Sequence, residues 1–434
     1  MGLPGITTVL QDSFSTISRT NVPRGPSIVV IGTRNTPDGT NGVPSLEAFL
    51  FQKESDVIAS FGYGSALHRG YLEVVAGGGV RVSLVALPFG TLDSGLLDTS
   101  SGNIFDAAFD ATIPAQPDII VPWGRGGHPS EWTSTSATPD YPQASPNIVP
   151  QQGFQADNSV NPTNSLAVRV AQKVAHLTSE ANPCFAVMGL TSVGPNIGGV
   201  GLSATETVSA ANLNTYLNYT NLVPAGSVSY ADCGPYLSVV GTEARPVTYP
   251  TDDPVNYPIQ TGSSFGYSNG AGLYAGFVST LAAYNAPTGK TPFNISSVRW
   301  LPTLTQQNNM SNAQIVPLGT NYTNAPVWVD APTFAAPTSD YARLTTLRII
   351  FDAVQLVRAA AQPFVGQGAT LANRTAFDTA VSSALRSMTL AGALVSSDYN
   401  ITYQSASNSA EVDLVLTPAF EIRNITISVS INLG

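Results

Sequence analysis

Positive charge is scarce in this chain. Only 18 of 434 residues are lysine or arginine, Lys53, Lys173 and Lys290 being its three lysines, and the net charge is −10. Binding a phosphate backbone needs clustered cations, so the composition argues against nucleic acid as a partner. Charged residues of both signs make up 11 %, under half of the roughly 25 % usual in globular chains. The polar surface must therefore be mostly Ser, Thr, Asn and Gln. Cysteine is limited to Cys184 and Cys233, too few for a disulfide framework or a zinc cluster, and both read as inert thiols of a reducing cytoplasm. The histidines His68, His128 and His176 show no metal-ligand spacing, and neither do the sparse carboxylates, so no metal and no cofactor is expected. No apolar run approaches membrane-span length, and the first residues lack a basic stretch followed by an apolar one. Neither direct membrane insertion nor a signal peptide is expected.

What the chain does have is an ordinary apolar fraction of 43 %, with 38 glycines and 32 prolines. Such a chain should fold, and its length suggests two or three domains. The most regular stretch is residues 425–433. Ile425, Ile427, Val429, Ile431 and Leu433 alternate with Thr426, Ser428, Ser430 and Asn432. A period of two is a half-buried strand, since no helix keeps those residues on one face. Burying five such side chains gains roughly 8–15 kcal/mol, while ordering nine residues costs about 9–18 kcal/mol. The strand needs a partner ladder.

Taken in order, residues 1–26 carry Ile6, Val9, Leu10, Phe14 and Ile17 between Pro4 and Pro23, which reads as an extended arm. The β-branched run from Ser27 to Gly32 predicts a buried strand. Ser65 is placed to cap a helix with Leu67, Tyr71 and Val75 on one face, closed by Gly77, Gly78 and Gly79. Val80, Val82 and Leu84 then alternate as on a strand. A short strand at 118–121, a long proline-rich loop at 128–164, a helix with Leu166, Val170, Val174 and Leu177, and a strand at 185–190 follow. This strand–helix–strand order predicts a crossover with parallel strands. Further strands are expected at 236–240, 298–301, 314–316 and 327–329, with a helix capped by Ser268 and bearing Leu273, Phe277 and Leu281. Ser339 and Asp340 open a long helix with Leu347, Ile350, Phe351, Val354 and Val357 inward and Arg343, Arg348 and Arg358 outside. A second helix carries Phe377, Val381, Leu385 and Met388 and stops at Gly392. Val412, Leu414 and Leu416 alternate on a strand broken by Pro418.

No motif argues for catalysis. The sequence from Gly262 to Gly266 matches the G-x-S-x-G nucleophile elbow at Ser264, but such an elbow wants a histidine downstream, and all three histidines precede it. The triplet at 289–291 resembles the end of a phosphate loop, yet Tyr284 stands where its first glycine belongs and a helix precedes it. A solvated turn is the better reading.

The order of segments resembles the contractile tail sheath proteins of bacteriophages and related injection machines. The resemblance rests on the strand entry Ser27 to Gly32, on Phe61-Gly62 and the helix ending in glycines before Val80, and on the helix from Gly270 running into Pro287 and Lys290. Gln306-Gln307-Asn308-Asn309 and Ala331-Pro332-Thr333 add to it. The last hundred residues carry most: a helix with Arg343 and Arg348, a second helix, Gly392, two strands and the terminal strand.

The resemblance implies a mixed α/β fold in several parts. These are an extended arm at 1–26, an outer α/β domain at 27–335, a two-helix and β-strand inner domain at 336–421, and a β-strand arm at 422–434. It implies a structural subunit, not an enzyme, that stacks in hexameric rings around an inner tail tube and contracts to drive the tube through a host envelope. The partners implied are other copies of the chain, the inner tail tube protein, and baseplate and tail terminator proteins. The location implied is the virion tail, assembled in the host cytoplasm. Val9, Leu10, Ile425, Ile427, Val429, Ile431 and Leu433 would form the strand-exchange interface between subunits. The competing expectations are a surface β-rich adhesin, for which Ser/Thr/Asn richness speaks, and a hydrolase using Ser264.

Overall fold

The computed structural model describes residues 26–89 without 35 and 64, 100–122 without 101, 166–180, 183–189, 233–248 without 242 and 243, 270–298, 301–335 without 313 and 321–323, 337–419 without 405–408, and 421. Strand β1 is Ser27–Gly32, with all its residues buried. Ile28 and Val30 point into one core and Val29 and Ile31 into another, as a strand covered on both faces requires. Around it lie β2 (Ala48–Phe51), β3 (Arg81–Ala86), β4 (Ile119–Pro122), β5 (Phe185–Gly189) and β6 (Leu237–Val240). Strands β7 (Ala244–Pro246) and β8 (Ile295–Val298) form a separate antiparallel pair. With β9 (Ile315–Val316), the main sheet has the order β2-β3-β1-β4-β5-β6-β9, parallel except for β2. Strands β10 (Leu318–Thr320) and β11 (Pro326–Trp328) pair antiparallel beside it.

Helices α1 (Glu54–Phe61), α2 (Ala66–Ala76), α3 (Ile104–Asp110), α4 (Leu166–Glu180), α5 (Ala271–Ser279) and α6 (Leu304–Asn312) cover this sheet. Leu67 of α2 and Phe277 of α5 share a core with Ile28, while Phe109 of α3 and Val174 of α4 share one with Val29. The expected crossover is present: α4 lies between β4 and β5, which are parallel neighbours. Ser65 caps α2, its Oγ accepting from the His68 amide at 3.1 Å, and Gly77 follows the last turn.

Two expectations in this region need correction. Val80 is outside β3 and 82 % exposed, and the strand is buried at Val82, Ser83, Leu84 and Val85 without alternation. The reason is position: β3 lies inside the sheet, between β1 and β2. Helix α5 is preceded by Gly270 with φ 76° at its cap position, whereas Ser268 lies outside the described residues. That helix is buried all round, so it has no polar face.

The C-terminal part holds α7 (Leu344–Ala361), α8 (Leu371–Leu390), β12 (Leu394–Gln404) and β13 (Ser409–Pro418). Helix α7 starts later than Ser339 and Asp340 suggest. Arg343 occupies the cap position in extended conformation, because it forms a β-bridge with Pro332. Ile349, rather than Ile350, is fully buried. Leu344, Leu347 and Phe351 join the large core, while Val357 and Ala361 join Phe377, Val381 and Leu385 of α8 in a separate small one. The expected face of α8, with Met388 as its fourth residue, is buried in full, and Gly392 with φ 78° turns the chain into β12.

Candidate assembly site

The hairpin of β12 and β13 is the longest pairing among the described residues. Tyr399 faces Leu414, and Ile401 faces Val412, in antiparallel register. Those residues, with Tyr403 and Leu416, are half-buried against α7 and α8. The alternate residues Asp398, Asn400, Thr402, Asp413 and Val415 are exposed. This alternation makes one face a helix-covered layer and leaves the other polar. Among the described residues the hairpin is two-stranded. Two strands of this length present rows of amide and carbonyl groups that another strand can pair with.

A groove of about 370 Å³ runs along β12, lined by Arg374, Thr375 and Asp378 of α8 and by Tyr399, Asn400, Ile401 and Tyr403. Its polar ends are fixed. The Tyr399 hydroxyl donates to Asp378 Oδ1 at 3.1 Å, and the Arg374 guanidinium lies 4.5 Å from the centre of the Tyr403 ring. Alternate side chains of an added strand would meet this groove, which is how strand addition gains specificity beyond its main-chain bonds.

Where the chain leaves the hairpin, three charged residues meet. Arg343 Nη2 lies 2.5 Å from Asp330 Oδ1 and 2.9 Å from Glu421 Oε2, and its Nε donates to the same Glu421 oxygen at 3.2 Å. Asp330 also accepts from the Ala331 amide and from the Ser311 hydroxyl. Burial alone would lower the Arg343 guanidinium, but the hydrogen bonds and charges of Asp330 and Glu421 outweigh it and hold it above its ordinary value. Nearby, the Tyr274 hydroxyl is fully buried, and burial raises it while Arg343 and Arg348 pull it down.

Arg343 and Arg348 are therefore not on the outside of α7, as the helical pattern suggests. Both reach across to the sheet-bearing part of the chain. Arg348 donates to the carbonyl of Val278 in the last turn of α5 and to that of Leu281 just past its end. Alternation and helix periodicity identify apolar faces, and they are silent on which carboxylate an arginine will find. The alternating Tyr399, Ile401 and Tyr403 did carry a signal for β12, parallel to the one at 412–416.

The residues singled out for strand exchange, Val9, Leu10, Ile425, Ile427, Val429, Ile431 and Leu433, lie outside the described residues, as does Ser264. Gly289 and Lys290 do form a turn: Gly289 has φ 73°, and Lys290 Nζ donates to the Ala286 carbonyl at 2.6 Å. Among the described residues no helix is long and apolar enough to cross a membrane, and no group of three His, Cys, Asp or Glu is placed to hold a metal.

No family model matches the chain, and no curated protein does. Solved structures do. A chain of the anti-feeding prophage (AFP) helical sheath in its contracted state aligns over 99 % of both chains with a TM-score of 0.56 at 13 % identity. A chain of an extracellular contractile injection system, the PVC sheath complex in its contracted state, aligns over 98 % of this chain and 99 % of its own, with a TM-score of 0.56 at 12 % identity. The sheath tail protein of Desulfitobacterium hafniense aligns over 96 % of this chain and all of its own, with a TM-score of 0.53 at 9 % identity. The fold of this chain is the mixed α/β fold of contractile sheath proteins.

Proposed function

We propose that the chain is the structural subunit of a contractile tail sheath, of a bacteriophage or a related injection machine. One observation carries this reading: the fold matches sheath subunits along their whole length, at 96–99 % of this chain. In this reading, copies stack as hexameric rings around an inner tube and contract to push the tube through a host envelope. The role is structural and not enzymatic. Energy comes from the difference in subunit contacts between an extended and a contracted array, so no nucleotide is consumed. Self-association is the first partnership. The inner tail tube protein, the baseplate and the tail terminator are the others, and the assembled protein belongs to the tail, built in the host cytoplasm.

The division of labour follows the same reading. Residues 27–335 form the outer part and 336–421 the inner part, while 1–26 and 422–434 are arms. The hairpin of β12 and β13 accepts strands from neighbouring copies, and the alternating residues Ile425 to Leu433 supply one, with Val9 and Leu10 on the other arm. Addition of a strand from an identical chain is a heterologous contact, which propagates into a helical array unless it closes. Negative-stain microscopy of the purified chain tests the proposal. Helical tubes of uniform diameter are expected, and a persistent monomer under all assembly conditions would sink it.

A further inference from the structure

Arg343, the cap residue of α7, touches three parts of the chain. Its own backbone caps α7 and bridges to Pro332. Its guanidinium holds Asp330, which follows β11 in the sheet-bearing part, and Glu421, the last described residue before the C-terminal thirteen. Asp330 is itself tied to α6 through Ser311 and to the backbone at Ala331. The side chains of Asp330 and Glu421 are 3 % and 8 % exposed, so solvent competes little for either contact.

Among the described residues, few backbone bonds hold the chain at this point. Pro418 ends β13 and has no amide proton to donate. Among the described residues the only backbone bond beyond it is from the Ala419 amide to the Ala393 carbonyl, at 2.9 Å. A pull on residues beyond 421 would load that bond first and then the ladder of β12 and β13 one bond at a time, each worth about 1 kcal/mol. The paired guanidinium intercepts the pull before it reaches the ladder. We infer that the Arg343, Asp330 and Glu421 cluster is the mechanical anchor of the C-terminal arm, passing tension to the sheet-bearing part of the subunit and sparing the hairpin. The importance of this for a contracting particle rests on the sheath reading, but the anchor itself does not.

The test uses the full chain, unassembled. Trypsin cleavage after Arg423 requires residues on each side of the bond, Glu421 among them, to enter the protease, so a clamp at Glu421 slows it. Release of residues 424–434, followed by mass spectrometry, is expected to be about 10- to 100-fold faster in Glu421→Ala, the size of effect that loss of a charge-assisted hydrogen bond gives. Thermal melting of the whole chain should fall by no more than a few degrees, so the subunit stays folded at the digestion temperature. Glu421→Gln keeps the shape and one acceptor, so it retains the fold and is expected to show a smaller acceleration. Arg343→Lys keeps the charge but loses the forked contact, and should cleave at a rate between wild type and Glu421→Ala. Equal rates in wild type and all three variants overturn the anchor. Because cleavage is read on free subunits, a wild-type chain that never forms tubes sinks the sheath reading and leaves the anchor standing.

Discussion

Nη2 of Arg348 lies 2.5 Å from the carbonyl oxygen of Leu281. The same nitrogen donates to the Val278 carbonyl at 3.2 Å, and Nη1 approaches Asn285 at 3.5 Å. Val278 lies in the last turn of α5, its carbonyl also accepting from the Leu281 amide at 3.1 Å, while Leu281 and Asn285 lie beyond the helix. A cation there also suits the helix dipole. Burial pushes the guanidinium down to about 10, against the favourable charges of Asp352, Tyr274 and Asp118, so it stays charged at neutral pH. The contact joins α7 to a helix at the centre of the large core. Arg348→Met, which keeps the length and loses the donors, is expected to cost about 3 kcal/mol by chemical denaturation. Arg348→Lys should recover part of it, and an unchanged midpoint in the Met variant would remove the role assigned to this side chain.

A second joint depends on missing side chains. On α5, a Cβ at Gly276 would overlap the Val74 carbonyl oxygen and come within 3.0 Å of Gly77 Cα; one at Gly77 would overlap the Leu273 carbonyl. Neither glycine has the positive φ that favours the residue type, so space alone fixes it. In an open helix Ala stabilises by about 1 kcal/mol over Gly. Here the sign reverses: Gly276→Ala should lose about 1–3 kcal/mol through displacement of α2 from α5. Gly368, which has open space around it, provides the control, and Gly368→Ala should stay within about 0.5 kcal/mol of wild type.

Much of the architecture was legible in the sequence wherever burial is one-sided. The four apolar residues of α8 from Phe377 to Met388 and the Ser65 cap stand where pattern and capping chemistry place them. The family resemblance carried the overall fold. Patterns misled where burial is two-sided or where a polar partner is distant in sequence. Val85 is as buried as Leu84 because β3 has covered faces on both sides. Arg343 looked solvent-facing because its acceptors, Asp330 and Glu421, lie 13 and 78 residues away. Gln306 illustrates a local signal passed over: its side chain accepts from the Thr303 amide at 2.7 Å while the Thr303 hydroxyl accepts from the Gln306 amide at 3.4 Å, the reciprocal box that starts α6. The arms, where the resemblance places subunit exchange, lie almost wholly outside the described residues.

His68 gives the fold a defined acid sensitivity. The ring is buried on α2, with Nε2 3.0 Å from Glu54 Oε1 and the Tyr63 ring tilted against it at 5.2 Å between centroids. Desolvation lowers its pKa below the ordinary 6.5, and the Glu54 hydrogen bond only partly offsets this. A group depressed in the folded state binds fewer protons there than in the unfolded chain, so stability is full above pH 6.5 and falls as pH drops through the window beneath it. The slope cannot exceed about 1.4 kcal/mol per pH unit for one group. His68→Gln should flatten the melting-temperature profile between pH 5 and 7 relative to wild type. Parallel profiles would show that the ring is not the sensor.

The strand-exchange proposal makes a directional claim about the C-terminal arm. In the hairpin, Tyr399, Ile401, Tyr403, Val412, Leu414 and Leu416 form one apolar layer over the helices. A strand added to either edge continues that layer only through residues of one parity. If Ile425, Ile427, Val429, Ile431 and Leu433 are that parity, a carboxylate at Ile427 or Val429 must be buried between strand and helix. The cost is about 3 kcal/mol or more, roughly a hundredfold in association. Thr426 and Ser428 would face solvent, and an aspartate there should be tolerated. Ile427→Asp and Val429→Asp are therefore expected to abolish tubes seen by negative stain while leaving the circular dichroism and melting of the free subunit unchanged. Thr426→Asp and Ser428→Asp should still assemble. Deleting residues 425–434 should likewise give a folded subunit that does not polymerise, as a strand paired between copies requires. Were the truncated chain unfolded, the strand would belong to its own subunit's ladder. Were both parities equally damaging, the strand would not be docked by its apolar face at all.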